Sequence, residues 1–567
     1  MLTRPAARLA VHRLSTNAAM SSARLVPVLA CPAPESIAFA PSSGPVHPLE
    51  DPQISQISPK THEHLRIAAY HLHSSRLVAF PTETVYGLGA NTLDPVATAK
   101  VYALKGRPAD NPLIVHVSSL RMLRSLIPEN EQISDLYLAL IDSFWPGPLT
   151  ILFPARNPPR PPPAPQTIGI RLPSHPLARA LITEADLPIS APSANSSGRP
   201  SPTEAAHVFA DLGRKGAEPV VDAEGKVVDE VGMLGCILDA GPCDVGVEST
   251  VVDGTQWSAD PARTRLLKIL RPGGVGVEQI EKVVAALDDK LGLTGPQKTS
   301  VWVYGRDPPI ESSRPAAGST SIQSPTPRRR PSMSSASSSI PSEIHNPSTP
   351  GMKYKHYSPS IPVYLLYPTD KFPTNPFQSQ AERAPATPEQ VWKHIADQLV
   401  AARTDHIAAS DDASRTNGAI RKQLRFGVMA FDDSSLRRTL QVTSNDAASA
   451  QAVQIRRAGD ETEIVTEIKS LGRSEEDAAR ALFRDMLAFE GTSAVAVDSQ
   501  SAASRLTEEA SSGGVDAILI EACLEKGVGL AVMERVNKAV GGGGTGRGLG
   551  FDGAQEAQKR FWVDVSP

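Results

Sequence analysis

A chain of 567 residues and 60.2 kDa exceeds what one ordinary hydrophobic core organises, so two or more domains are expected. Hydrophobic residues make up 40%, which fits folded domains joined by polar linkers, and 57 Lys and Arg against 61 Asp and Glu give a net charge of -4, without the global footprint of a nucleic-acid binder. Cys31, Cys236, Cys243 and Cys523 are too few and too scattered for a disulfide scaffold or zinc ribbon, and no stretch approaches the roughly 20 apolar residues that span a bilayer, so no membrane partner is expected.

Residues 1–58 are rich in Pro, Ala and Ser and predict a tail. Arg4, Arg8, Arg13 and Arg24 precede the first acidic residue, Glu35, which is the composition of a mitochondrial transit peptide. A product begun at Met20 would lack most of it, so the expected location is cytoplasmic with a mitochondrial form. Periodicity starts near Lys60, where HEHLRIAAYHLHSS predicts a helix and RLVAFPTETVYGLG a strand running into a turn. DPVATAKVYALK then reads as a helix, and NPLIVHV, IGIRLP, LPISAPSAN and STVVDG as strands. The alternation predicts one α/β domain over 59–291.

Residues 292–350 lose the pattern. SIQSPTPRRRPSMSSASSSIPSEIHNPSTP buries too little apolar surface to offset its ordering entropy, so it predicts a linker. Pattern returns beyond Pro350: IPVYLLYP and RFGVMAFD as strands, PEQVWKHIADQLVAAR and SEEDAARALFRDMLAFE as amphipathic helices, and DAILIEACLEKGVGLAVMERVNKAVGG as strand, loop and helix. These predict a second, smaller α/β domain with a partly parallel sheet over 360–545. Stretches near 404–422 and 491–512 are expected as loop insertions, and 546–567 as a tail.

Five blocks carry chemistry. FPTETVYGLGAN (80–91) ends a buried strand in a polar turn bearing Thr82, Glu83 and Thr84, and Gly87 and Gly89 permit close backbone approach. KGRPADNPLIVHV (105–117) sets Lys105 and Arg107 beside Asn111, a grouping suited to a polyphosphate and a base or ribose; His116, taken alone, reads as a satisfied core histidine. IGIRLPSHP places Arg171 among apolar neighbours, where it needs an anionic partner, either a structural or a substrate carboxylate. PISAPSANSSGRPSP (188–202) gathers Ser193, Asn195, Ser196, Ser197 and Ser201 around Arg199 as an anion nest. DVGVESTVVDG and LKILRPGG add Ser249, Thr250 and Arg271. By contrast, the Gly-rich run near Gly541 lacks the strand-loop-helix context of a phosphate loop, and His62, His64, His71 and His73 do not converge on a metal.

Together, FPTETVYGLGAN, KGRPADNPLIVHV, FWPGPLT, APSANSSGRPSPT, GVESTVVD and LRPGG follow the order found in the YrdC-like threonylcarbamoyl-AMP synthases. PGMKYKHYSP (350–359), ARALFRDMLAFE and GVGLAVMERVNKA resemble the long two-domain form of that family. The resemblance implies a twisted-sheet domain with a large concave cavity, followed by a smaller C-terminal α/β (Rossmann-like) domain. It implies the condensation of L-threonine, bicarbonate and ATP to threonylcarbamoyl-adenylate and pyrophosphate. The product would pass to a tRNA threonylcarbamoyl-transferase complex, for modification of adenosine 37 in ANN-decoding tRNAs. Carried over by motif, Thr84, His116, Arg171 and Ser249 would contact threonine. Lys105, Arg107, Asn111, Thr167, Ala191, Ser193, Ser201, Arg271 and Tyr354 would contact ATP. Mg2+ would accompany the triphosphate, through protein ligands the sequence does not identify, and no prosthetic group is implied. No residue is assigned as general base. PGMKYKHYSP (351–359 as a lid motif) would exclude water from a labile carbamate. The basic surface around Lys105, Arg107, Arg171 and Arg199 would also permit a weak RNA contact, although aromatic stacking groups are scarce there. A carbamoyl-phosphate-using transferase of related fold would be expected to carry zinc-finger or acylphosphatase-like segments, which the sequence lacks.

Overall fold

The computed structural model describes residues 25–157, 166–221, 227–229, 232–260, 265–304, 306–307, 357–377, 384–408, 423–442, 451–456, 461–491, 514–541 and 559–566. The first domain opens with β1 (Val28–Ala30), β2 (Ala38–Ala40) and β3 (Gln53–Gln56), then α1 (Pro59–His73), β4 (Leu77–Phe80), β5 (Gly87–Asn91), α2 (Pro95–Lys105) and β6 (Ile114–His116). It continues through α3 (Leu120–Leu126), α4 (Asp135–Phe144), β7 (Leu149–Pro154), β8 (Thr167–Arg171), α5 (Pro176–Ala185), β9 (Ile189–Ser190) and α6 (Ala205–Leu212). The short pair β10 (Val220–Val221) and β11 (Val227–Asp229) precedes β12 (Leu234–Asp239), β13 (Thr250–Asp253), β14 (Leu266–Arg271), α7 (Val277–Lys290) and β15 (Ser300–Val303).

Eleven of these strands build a mixed sheet in the order β1-β12-β4-β5-β9-β6-β8-β7-β13-β14-β15, while β2 pairs with β3 and β10 with β11. The β4 run LVAF is apolar throughout because β12 and β5 flank it and both of its faces are covered. Helix starts follow capping chemistry: Ser58 accepts from the Thr61 N–H, Asp94 from Val96 and Ser134 from Tyr137. The buried faces of α1, α4, α5 and α7 pack with the sheet into one apolar core.

The second domain comprises β16 (Val363–Pro368), α8 (Pro388–Ala408), β17 (Gln423–Ala430), α9 (Ser435–Val442), β18 (Gln451–Arg456), β19 (Glu461–Ser470), α10 (Glu475–Phe489), β20 (Ala517–Glu521), α11 (Gly529–Val540) and β21 (Arg560–Val563). Its sheet runs β18-β19-β17-β20-β16-β21, parallel except for the β18–β19 pair. Val85 and Val247 of the first domain pack into the same apolar cluster as Leu482, Phe483, Met486, Val532 and Val536 of the second. No helix among the described residues is long and apolar enough to cross a membrane.

Three segments expected as tail or linker contain strands. β1 extends the large sheet beside β12, β15 pairs with β14, and β21 pairs with β16. Strands of three or four residues at sheet edges carry too little alternation to register as periodicity, and their partners lie far away in sequence. The expected insertion at 404–422 likewise begins inside a helix, because α8 runs to Ala408. Truncation tests the first of these assignments. Val26, Cys31 and Ile37 are 2%, 0% and 6% exposed. A chain starting at residue 41 should therefore be less stable than one starting at residue 25 by about 3 kcal/mol, read from urea unfolding midpoints.

Candidate active site

The polar turn between β4 and β5 is organised around one hydroxyl. Thr82 Oγ1 donates to the Val85 carbonyl at 2.7 Å, lies 2.8 Å from Thr84 Oγ1, and receives the Val85 N–H at 3.3 Å. This fixes Thr84, whose hydroxyl accepts from Arg171 Nη1 at 2.9 Å. Arg171, at the end of β8, also donates from Nε to the Gly147 carbonyl at 3.2 Å, and its Nη2 lies 2.5 Å from Glu83 Oε1. Both Arg171 and Glu83 are almost wholly buried, so the sequence-level demand for an anionic partner is met here by a structural carboxylate. Nη2 nevertheless lacks an aligned hydrogen bond, leaving a donor for a second anion.

Lys105 closes α2, where Gly106 takes φ 60 as the helix cap. Its ammonium donates to the Ser193 carbonyl at 2.6 Å and to the Asn195 carbonyl, so it pins the loop that follows β9. Burial, reinforced by Arg107, pushes its pKa well down. Arg107 donates from Nη2 to Asn111 Oδ1 at 2.9 Å and to the Pro112 carbonyl at 2.7 Å. Burial lowers its pKa to about 10, which still leaves it charged at neutral pH. Asn111 thus acts on Arg107 and does not line the cavity.

On the opposite side, Arg271 at the end of β14 donates from Nη2 to the Ser249 carbonyl at 2.7 Å and to its hydroxyl at 3.1 Å, and Ser249 Oγ lies 2.8 Å from Thr150 Oγ1. Gly273 makes this crossing feasible: a Cβ there would sit 2.3 Å from both the Ser249 carbonyl carbon and the Thr250 nitrogen. Ser201 donates to Glu248 Oε1 at 2.5 Å.

These elements enclose a cavity of about 740 Å³, counting its open mouth. Thr84, Lys105, Arg107, His116, Arg171, Ala191, Ser193, Ser201, Ser249 and Arg271 all line it. Thr167 does not; it begins β8, and at strand rise its four-residue offset puts it about 13 Å from Arg171. Tyr354 lies outside the described residues. Its neighbour Tyr357 lines the cavity, 5% exposed, at φ 64, with its ring stacked on Phe483 at 5.4 Å. Sequence reasoning named Tyr357 within the lid motif but did not place it in the site. It also assigned no role to Glu248, a lone carboxylate inside a cluster of cations.

His116 is 3% exposed, and its Nδ1 has no hydrogen-bond partner. Burial, and then the charge of Arg171, lower its pKa from 6.5 to about 3, so the ring is neutral at physiological pH. The lining therefore combines two kinds of group. Lys105, Arg107, Arg199 and Arg271 bring cations; Thr84, His116, Arg171 and Ser249 bring hydroxyls, a neutral imidazole and a further guanidinium.

Fold and cavity together define a two-domain α/β protein with a buried anion-receiving site. A family model described as "Telomere recombination" matches residues 71–273, and one described as "Threonylcarbamoyl-AMP synthase, C-terminal domain" matches 275–541. The threonylcarbamoyl-AMP synthase of Schizosaccharomyces pombe is 38% identical over 349 residues, covering 58% of this chain and 69% of that protein. That of Pyrococcus abyssi is 30% identical over 485 residues, covering 84% and 94%. A crystal structure of P. abyssi Sua5 with L-threonine aligns at 28% identity and a TM-score of 0.48, over 87% of this chain and 97% of that one. The chain belongs to the threonylcarbamoyl-AMP synthase family.

Two outcomes follow from the site's packing. Gly273→Ala should destabilise the fold by about 1–3 kcal/mol and loosen the Arg271–Ser249 contact, measured by thermal melting alongside activity. The pH dependence has a defined sign. Between pH 6.5 and about 3 the unfolded chain protonates the His116 position while the folded protein does not. Stability therefore falls as pH drops through that window. His175 and His207 are shifted the same way, so His116→Asn should flatten the fall without abolishing it, read from unfolding midpoints across pH.

Proposed function

We propose that this chain is an L-threonylcarbamoyladenylate synthase, joining L-threonine, bicarbonate and ATP with release of pyrophosphate. The observation that carries the reading is the cavity lining: the cationic Lys105, Arg107, Arg199 and Arg271 share one cavity with Arg171 and the hydroxyls of Thr84 and Ser249. Arg171 would take the threonine carboxylate through its guanidinium, with Thr84, His116 and Ser249 around the rest of the amino acid. Lys105, Arg107, Ser193, Ser201 and Arg271 would surround the nucleotide, with the Ala191 backbone beside it. Asn111 would contribute through Arg107, and Tyr354 from the segment next to Tyr357.

Threonine's neutral amine and bicarbonate form a carbamate with loss of water: the new N–C bond replaces a C–O bond, and the departing hydroxide takes the proton shed by the amine. The carbamate oxygen attacks the α-phosphorus of ATP, the bond to the β-phosphate oxygen breaks, and pyrophosphate leaves with the electron pair. This transfer requires alignment and charge neutralisation rather than a covalent nucleophile. Mg2+ would arrive on the triphosphate, where it would neutralise part of the phosphate charge. The mixed anhydride hydrolyses readily, so it would be handed directly to a tRNA-modifying transferase.

Purified protein should release pyrophosphate from ATP only when threonine and bicarbonate are both present; release independent of threonine would overturn the reading. Arg171→Ala should lower turnover by about 10²-fold or more. Two compartments belong to the same proposal. Residues 1–40 fused to a fluorescent protein should direct it to mitochondria, and a wholly cytosolic reporter would remove that part.

A further inference from the structure

Glu248 is an anomaly in this cavity. It is 8% exposed and lines the same wall as Arg271 and Ser201, where the reading above places the phosphates of ATP. An ionised carboxylate there repels a polyanion unless another cation holds it. That cation comes from the second domain. Arg535, on α11, is fully buried and donates from Nε to Glu248 Oε2 at 3.0 Å. Its Nη1 donates to the Pro272 carbonyl at 2.6 Å, one residue beyond Arg271, and to Glu534 Oε2 at 2.8 Å. The guanidinium carbon lies 5.5 Å from the Tyr357 ring centroid. One side chain of the C-terminal domain thus touches the carboxylate, the backbone after the Arg271 motif, and the tyrosine that lines the cavity. A second tie lies at the rim, where Glu490 holds cavity-lining Arg199 at 3.1 Å.

We propose that Arg535 is a positioning residue for the nucleotide site: it neutralises Glu248 and holds it on Ser201, so that Arg271 and the other cations of that wall are left to the phosphates only when the C-terminal domain is docked. The inference rests on the functional reading above. Burial pushes the Glu248 carboxyl up, but Arg535 and then Arg271 more than reverse this, so it stays ionised at neutral pH. Without Arg535, Arg271 is the other cation that acts on Glu248, and it would turn from the ligand to the carboxylate. Lys105, Tyr357 and, on α11, Glu534 with its partner Lys538 also face this region, and none of them takes the place of Arg535 on Oε2.

The test uses the full chain and ATP binding by calorimetry, without threonine. Arg535→Met should weaken ATP at pH 8 by about tenfold or more. The loss should shrink as pH falls and Glu248, no longer held down by Arg535, takes up a proton. Arg535→Met combined with Glu248→Gln should regain most of the affinity and lose the pH dependence. A purely structural role for Arg535 predicts the opposite, with the double variant no better than the single one. If Arg535→Met does not fold, Arg535→Lys serves: it keeps the charge but cannot bond Glu248 and Pro272 together, and it should bind ATP several-fold more weakly. Wild-type affinity in the foldable variant, or no rescue by Glu248→Gln, overturns the proposal. An unsubstituted protein that does not bind ATP sinks the functional reading, and this inference with it; one that binds ATP normally while the variants do too sinks the inference alone.

Discussion

Buried cations satisfied by neutral groups are the constraint on which the site depends. Lys105 is held by the carbonyls of Ser193 and Asn195, Arg107 by those of Asn111 and Pro112, and Arg271 by that of Ser249. Each carbonyl relieves part of the desolvation cost, yet none cancels the charge. The positive potential is therefore available to an incoming anion rather than spent inside the protein. A wall of Arg–carboxylate pairs would have been as well hydrogen-bonded and far less receptive. Where a carboxylate does enter, as Glu83 on Arg171, the guanidinium keeps one group without an aligned partner.

Much of this was legible in the sequence, and the reason is local. The motif blocks sit at strand ends and helix caps, so each one both folds itself and delivers its side chain. Lys105 is a helix-terminal residue and Arg171 a strand-terminal one, positions that periodicity alone locates. The alternation of strands and helices likewise anticipated the two sheets. What escaped was non-local. The role of Asn111 depends on how Arg107 folds back, and Thr167 lies at the far end of β8 because strand length, not motif order, sets its distance from Arg171. Edge strands β1, β15 and β21 are legible only once their partners are placed.

The join between the domains was the least readable part. Glu248 and Arg535 are 287 positions apart and lie in segments that each look self-sufficient. Apolar contact at Val85 and Val247 brings the second domain up to the cavity, and the buried ion pair then sets its register. Such pairs contribute little net stability after desolvation, but losing one partner is costly, so they discriminate strongly between a correctly seated interface and a shifted one. In this architecture the described residues of the second domain line none of the cavity but back two groups that do, Glu248 through Arg535 and Tyr357 through Phe483.

The position of β21 has a consequence for the order of events on the ribosome. β16, at 363–368, takes β20 on one side and β21, at 560–563, on the other. Its sheet spans almost the whole second half of the chain and stays open at that edge until residues 560–563 have emerged. The first domain has all its strands by residue 303 and can condense well before then. Synthesis therefore leaves the first domain without the second domain's backing for the time needed to add some 260 residues, on the order of tens of seconds at usual elongation rates. A nascent chain in that state already carries Arg171, Ser201 and Arg271, yet Glu248 has no Arg535 on its Oε2 until α11 has been made.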